Sequence, residues 1–193
     1  MPDIDTHRFR ELIEPHLDAL FRAAFRLVRN TPAAEDLVQE TCIRALPRMR
    51  ELLDVAQPRS WLLRVQHNLF LDDVRRQRRS PFDAADDATA LAEHACGDDG
   101  PEQSLLRDQA EEELHRAWLR LDPGHRSMLA LRAEGYALDE IAEITGIDKD
   151  MLNSRLYRAR LGLLKRLREE RREAPDEGSA RAPAAPRRME NAK

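Results

Sequence analysis

The side chains of this chain best equipped to do chemistry are its arginines. They make up 29 of the 32 basic residues, and a guanidinium pairs in fork geometry with a phosphate or with the edge of guanine, which the lysine ammonium does not. Arg75, Arg76, Arg78 and Arg79 crowd a single stretch. One or two cations at a helix end gain about 0.3–1 kcal/mol each from the macrodipole, but a run this dense repels itself, so a phosphate-binding patch is the better reading. A second set, Asn153, Ser154, Arg155 and Arg158, puts an amide, a hydroxyl and two guanidinia on the polar side of one helical pattern. An amide suits adenine and a guanidinium suits guanine or phosphate. The histidines, at 7, 16, 67, 94, 115 and 125, are scattered, and none stands beside a nucleophile in a recognisable motif, so no catalytic residue is expected. His94 and Cys96 lack a second ligand pair at a usual spacing, so no metal and no other cofactor is expected.

The elements that must position these groups are helices. In residues 136–160, YALDEIAEITGIDKDMLNSRLYRAR, the residues Leu138, Ile141, Ala142 and Thr145 recur at helical spacing until Gly146, where a helix would end in a left-handed residue. Asp148 can cap a second helix that lines up Leu152, Leu156, Ala159 and Leu163 on one face and leaves Asn153, Ser154, Arg155 and Arg158 on others. A short helix, a tight glycine-containing turn and a second helix with a polar, arginine-bearing face is the helix-turn-helix geometry that enters a DNA major groove, although an ordinary helical hairpin satisfies the same pattern.

Upstream, Leu17, Leu20, Phe21, Ala24 and Val28 predict a helix to about Asn30, and Thr31-Pro32 restarts the pattern with Thr31 as cap. That second helix turns Leu37, Thr41, Cys42 and Ala45 inward and Asp36, Gln39, Glu40 and Arg44 outward; this acidic and amide cluster could dock a partner, although on the residues alone a solvated helix face is the better reading. Two prolines in residues 47–60 predict a loop. A third helix then carries Leu62, Val65 and Leu69 as a stripe flanked by Trp61, Leu63 and Phe70, with the arginine run at its end.

Composition agrees with an all-helical chain: aromatics are 5%, hydrophobic residues 41%, and no strand pattern recurs. A net charge of −4 argues at first against nucleic acid, but its distribution reverses the argument. Residues 1–79 hold 14 basic and 12 acidic side chains, 80–115 hold 1 and 11, and 116–172 hold 13 and 9. Two mildly basic blocks thus flank an acidic connection. The expected organisation is two small helical domains, 1–79 and 110–172, joined by a flexible acidic linker, 80–109, and followed by a disordered tail, 173–193. No apolar run suggests a membrane span, and Asp3, Asp5, Glu11 and Glu14 are unlike a signal peptide, so no membrane insertion and a cytoplasmic location are expected. A disulfide between Cys42 and Cys96 is not expected there.

Three segments in order, DLVQETCIRAL (36–46), PRSWLLRVQHNLFLDDVRRQRR (58–79) and GYALDEIAEITGIDKDMLNSRLYRARLGLLKRL (135–167), resemble the bacterial sigma factors of the sigma-70 family, extracytoplasmic-function group. The resemblance spans roughly residues 10–170 and implies a sigma-2-like and a sigma-4-like domain that bind core RNA polymerase and promoter DNA, without enzymatic activity. It implies that Asp36, Leu37, Gln39 and Glu40 dock on the polymerase clamp helices. It further implies minus-10 contacts by Arg59, Ser60, Trp61, Asn68, Arg75, Arg76 and Arg79, the 47–60 loop capturing an unstacked base, with Asp72 orienting a nearby arginine. Lys149, Met151, Asn153, Ser154, Arg155 and Arg158 would then serve the minus-35 element, and an anti-sigma factor would hold the protein inactive.

The chain departs from the family at Gln66 and His67, in the 51–57 loop, and across Asp150 to Asn153, where the family's lysine is lost. Asp150 would repel the DNA backbone unless it faces cytosine or a capping amide. A rival reading takes the C-terminal unit as a stand-alone helix-turn-helix regulator with a sensory or dimerising N-terminal domain. That protein needs a ligand pocket or a phosphoacceptor, and residues 1–79 show no alternating βα pattern that would supply one.

Overall fold

Prolines, asparagine and glycines punctuate the helices. The computed structural model describes residues 3–79 and 101–173, with side-chain surroundings for 7–79 and 106–172. An N-terminal helix α1 (Asp3–Ile13), which the sequence pattern did not announce, leads through a 3-10 turn (Glu14–His16) into α2 (Leu17–Val28). Arg29, left-handed at φ 55°, ends α2 and returns its N–H to the Phe25 carbonyl at 2.7 Å. The next residue caps α3 (Thr31–Ala45): Asn30 is extended, and its side chain accepts from Ala33 N at 2.9 Å. The expected cap at Thr31 is therefore corrected by one residue, because Thr31 is already helical and the extended backbone a cap requires falls on Asn30.

The predicted 47–60 loop is also corrected. A 3-10 turn (Leu46–Arg48) and α4 (Met49–Asp54) occupy most of it, and only residues 55–57 separate α4 from α5 (Pro58–Arg79). The reason is local. Pro47 and Pro58 sit in the first turns of helical elements, where a missing N–H costs nothing, and Leu52 is buried to anchor α4.

After the undescribed segment 80–100, which holds His94 and Cys96, α6 (Pro101–Leu119) begins. Residues 101–109, expected in the linker, are helical. The Asp122 side chain caps α7 (Pro123–Ala133) by accepting from Gly124 N at 3.0 Å and His125 N at 3.3 Å. Gly135 at φ 89° makes the corner into α8 (Leu138–Thr145), whose start is closed by Glu140 accepting from Ala137 N at 2.8 Å. As expected, Gly146 is left-handed at φ 68° and Asp148 caps α9 (Lys149–Glu173) through Asp150 N at 2.9 Å. Asp150 stays exposed in the first turn, favourable for the helix dipole.

Every regular element among the described residues is helical. The two halves do not stand apart: α2 and α5 pack against α7 and α8, and one apolar cluster runs from Leu20, Leu52, Leu62 and Leu63 to Met128, Ile141, Ile144 and Leu152. The departures at Gln66 and His67 are interior residues. Gln66 donates to the Leu20 carbonyl at 3.0 Å, and His67 Nδ1 shares a 2.7 Å hydrogen bond with Ser127 Oγ from the other half. Cys42 is a half-buried free thiol. No helix among the described residues is long and apolar enough to cross a membrane.

Candidate nucleic-acid and polymerase interface

At ~100° per residue the buried positions of α5, Leu62, Leu63, Gln66, His67 and Phe70, fall on one side of the helix. Trp61, Asn68, Arg75, Arg76 and Arg79 share an arc of roughly 100° on the opposite side. Asn68 and the three arginines are exposed, and the half-buried Trp61 ring is held by the Arg48 guanidinium 4.8 Å above it. Asp72 accepts from Arg75 Nη1 at 3.1 Å, so one guanidinium of the run is aimed by a carboxylate. Arg76 and Arg79 are exposed beside it on the same side of the helix, a concentration of positive charge of the kind that attracts phosphate.

Two minus-10 candidates leave this stripe. Ser60 is turned inward at 3% exposed and donates to Gln57 Oε1 at 3.2 Å, so its hydroxyl helps tie the start of α5. Arg59 projects toward the C-terminal half, donating to Tyr136 Oη from Nε at 2.8 Å and Nη2 at 2.6 Å with its guanidinium 4.7 Å from the ring centre.

On α9, Leu152, Leu156 and Ala159 are buried against α7 and α8. Met151, Ser154, Arg155 and Arg158 fall within one arc of roughly 100°, all exposed except the half-buried Arg155. Arg158 Nε rests on the Ser154 carbonyl at 3.3 Å, and Ser154 Oγ donates to the Met151 carbonyl at 2.8 Å. Lys149 and Asn153 lie on the opposite flank, Lys149 paired with Asp139 of α8 at 2.5 Å. The six minus-35 candidates are thus split between two sides of the helix.

Asp36 and Gln39 are exposed on α3, while Leu37 and Glu40 are half-buried, with Glu40 accepting from Arg44 Nε at 2.8 Å. Asp36, Leu37 and Glu40 line a groove of about 710 Å³ whose other walls are the end of α5 and, from the C-terminal half, His115, Leu119 and Arg126. Sequence reasoning missed these last residues. Arg126 shares the buried side of α7 with Leu129 and Ala130, is 7% exposed, and has its guanidinium 5.3 Å from the Phe70 ring centre. Burial, helped by Arg78, lowers its pKa to about 10. A charged residue at a core register of α7 was the available signal. Among the described residues no group of His, Cys, Asp and Glu could hold a metal.

A helical protein with a helix-turn-helix at one end and an exposed arginine stripe on a second helix belongs among DNA-binding transcription proteins. Sequence comparison specifies which kind: residues 12–80 match Sigma-70 region 2, and residues 111–163 match Sigma-70, region 4. The chain is 30% identical over 164 residues to the RNA polymerase sigma factor YlaC of Bacillus subtilis, covering 84% of this chain and 94% of that one. It is 34% identical over 154 residues to the ECF sigma factor SigE of Mycolicibacterium smegmatis, covering 78% of this chain and 58% of the relative. The fold is shared with the sigma factor RpoE of Bartonella quintana, solved in complex with the anti-sigma factor NepR, at a TM-score of 0.60 and 24% identity over 83% of this chain and 97% of that one. The chain belongs to the sigma-70 family, as an extracytoplasmic-function-type sigma factor, a protein that binds core RNA polymerase and directs it to promoters. The stand-alone regulator is thereby set aside, since region 2 occupies the part of the chain that reading gave to a sensory domain.

Proposed function

We propose that three surfaces divide the work of initiation. Asp36, Leu37, Gln39 and Glu40 of α3 dock on core polymerase. The α5 stripe of Trp61, Asn68, Arg75, Arg76 and Arg79 engages the minus-10 region, where an aromatic ring beside guanidinia suits unstacked bases and backbone together. Met151, Ser154, Arg155 and Arg158 at the start of α9 face the minus-35 element, with Lys149 and Asn153 on the flank toward one strand. The chain does no bond chemistry itself; the core enzyme does. Its place of action is the cytoplasm, and an anti-sigma factor, of the kind that accompanies RpoE in its solved complex, restrains it.

The observation that carries this reading is the alignment of Trp61, Asn68 and the exposed arginines on the side of α5 opposite its buried face. Run-off transcription with core polymerase on a genomic promoter library tests it. Wild type should yield promoters sharing two elements, and the Arg75→Ala, Arg76→Ala variant should lose opening while retaining core association. Each lost phosphate contact should flatten the log-log salt dependence by roughly 0.7–0.9. A parallel loss of core affinity would remove the DNA role from these arginines.

A further inference from the structure

The one ring on the α5 stripe is not bare. Trp61 packs against the apolar cluster, and the Arg48 guanidinium lies over its ring, 4.8 Å from the centre. Arg48 stands where the 3-10 turn meets α4, and its neighbours fix it there: Pro47 lies in the first turn of the 3-10 element, Met49 packs against the apolar cluster and Leu52 is buried. Glu51, one turn along α4, fixes the side chain. Arg48 Nε donates to both Glu51 carboxylate oxygens at 3.1 Å, and Nη2 donates to Oε2 at 2.5 Å. These hydrogen bonds hold the Glu51 carboxyl below its ordinary range, so the pair is ionised at neutral pH.

A guanidinium meets nucleic acid in two ways, by forking its edge onto phosphate or guanine and by stacking its flat face on a base. In Arg48 the Nε–Nη2 edge is already forked onto Glu51, so a phosphate arriving there would have to displace a carboxylate and face its charge. The flat face is what remains, with Trp61 on one side and half of the side chain, 50%, open to solvent. Arg29, Arg59 and Arg126 also lie over rings, but over Phe25, Tyr136 and Phe70, none of which belongs to the stripe. Among the described residues Arg48 alone stacks on a ring of the surface assigned above to the minus-10 region, and the present inference rests on that assignment.

We infer that Arg48 is the platform on which an unstacked minus-10 base rests, in a stack of base, guanidinium and indole, with Trp61 behind Arg48 and Glu51 holding its plane. Arg48 touches the DNA, whereas Glu51 and Trp61 are positioning residues. Two properties follow from this geometry. The contact needs a planar cation, so lysine does not replace Arg48. The Arg48–Glu51 pair is neutral as a unit and neutralises no phosphate, so its contribution to binding is independent of counterion release, unlike that of Arg75 and Arg76. Because every base has a flat face, the stack holds the opened strand and leaves base choice to other residues.

The test uses holoenzyme assembled from core polymerase and the full chain, with wild type, Arg48→Lys, which keeps the charge and loses the plane, and the Arg48→Ala, Glu51→Ala pair, which keeps the net charge and loses both groups. The probe is a fork taken from a promoter that wild type selects, duplex through the minus-35 element and single-stranded over the minus-10 segment. Thymine is placed at successive minus-10 positions and its reactivity to permanganate is read, since stacking shields the base face. Wild type should protect one position. Both variants should expose it and bind the fork about tenfold more weakly, with core association, minus-35 duplex binding and the log-log salt slope unchanged. Wild-type protection and fork affinity in both variants would overturn the platform and leave Arg48 as a cover for the ring. Full activity of Arg48→Lys with a flattened slope in the alanine pair would overturn it in favour of a phosphate contact. Promoter opening that survives Arg75→Ala, Arg76→Ala would instead strike at the stripe assignment, so the two failures are distinguishable.

Discussion

Arg155 and Arg158 lie one turn apart on α9 yet should do different work. Arg155 is half-buried beside the apolar face, where its reach is restricted, and restriction is what base reading requires. Arg158 is exposed and braced on a backbone carbonyl, suited to a phosphate. In a selection on a randomised minus-35 library, Arg155→Ala should cost about 1–3 kcal/mol and relax preference at one position, since a bidentate contact carries that discrimination. Arg158→Ala should lower affinity nearly uniformly, with the order of preferred sequences kept. Identical preferences in both variants and wild type would mean that this helix does not read the groove.

His67 carries a prediction of another kind. Burial above all, with Arg64 and Arg75 adding repulsion, lowers its pKa from 6.5 to about 4. A histidine held neutral in the folded chain takes up its proton on unfolding, so the unfolded state binds more protons between the two values. The stability is fully present above roughly pH 6.5 and is lost progressively as pH falls toward about 4, reaching about 2 kcal/mol by roughly pH 5. His16 and His115, also lowered chiefly by burial, act in the same direction from more exposed sites. Urea midpoints should therefore fall from neutral to mildly acid solution, and the fall should be smaller in His67→Gln, whose amide can still meet Ser127. An unchanged pH response in that variant would show that other groups set it.

At the scale of the element, α3 joins a stability device to a docking face. Asn30 satisfies one orphan N–H at its start, and Asn30→Ala should cost about 1 kcal/mol in chemical denaturation without altering core binding. Asp36→Arg with Glu40→Arg should do the reverse. Neither carboxylate supports the core, and among the described residues Glu40 pairs with Arg44 alone, an exposed pair of little worth to stability. The folded double variant should lose association with core polymerase in a pull-down. Retained binding would move the docking site elsewhere.

For the whole molecule, local signals proved sufficient wherever a residue acts on its own helix. Gly146, Asp148 and the Leu152, Leu156, Ala159 face were legible because helix capping and the 3.6-residue period depend on residues a few positions apart. The same holds for the α5 stripe, since a helix fixes angular order without any knowledge of its neighbours. The sequence thus determined by itself an all-helical chain, its helix-turn-helix and its family. What only the tertiary structure decided is which polar residues face the other half. Ser60, Gln66, His67 and Arg126 are polar residues in buried positions, and their burial became tolerable because Gln57, Leu20, Ser127 and the Phe70 ring, some distant in sequence, meet them. Arg59 passes from a promoter candidate to a partner of Tyr136 for the same reason: a hydrogen bond between residues 77 positions apart leaves no periodic trace in the chain, and only packing brings its two ends together.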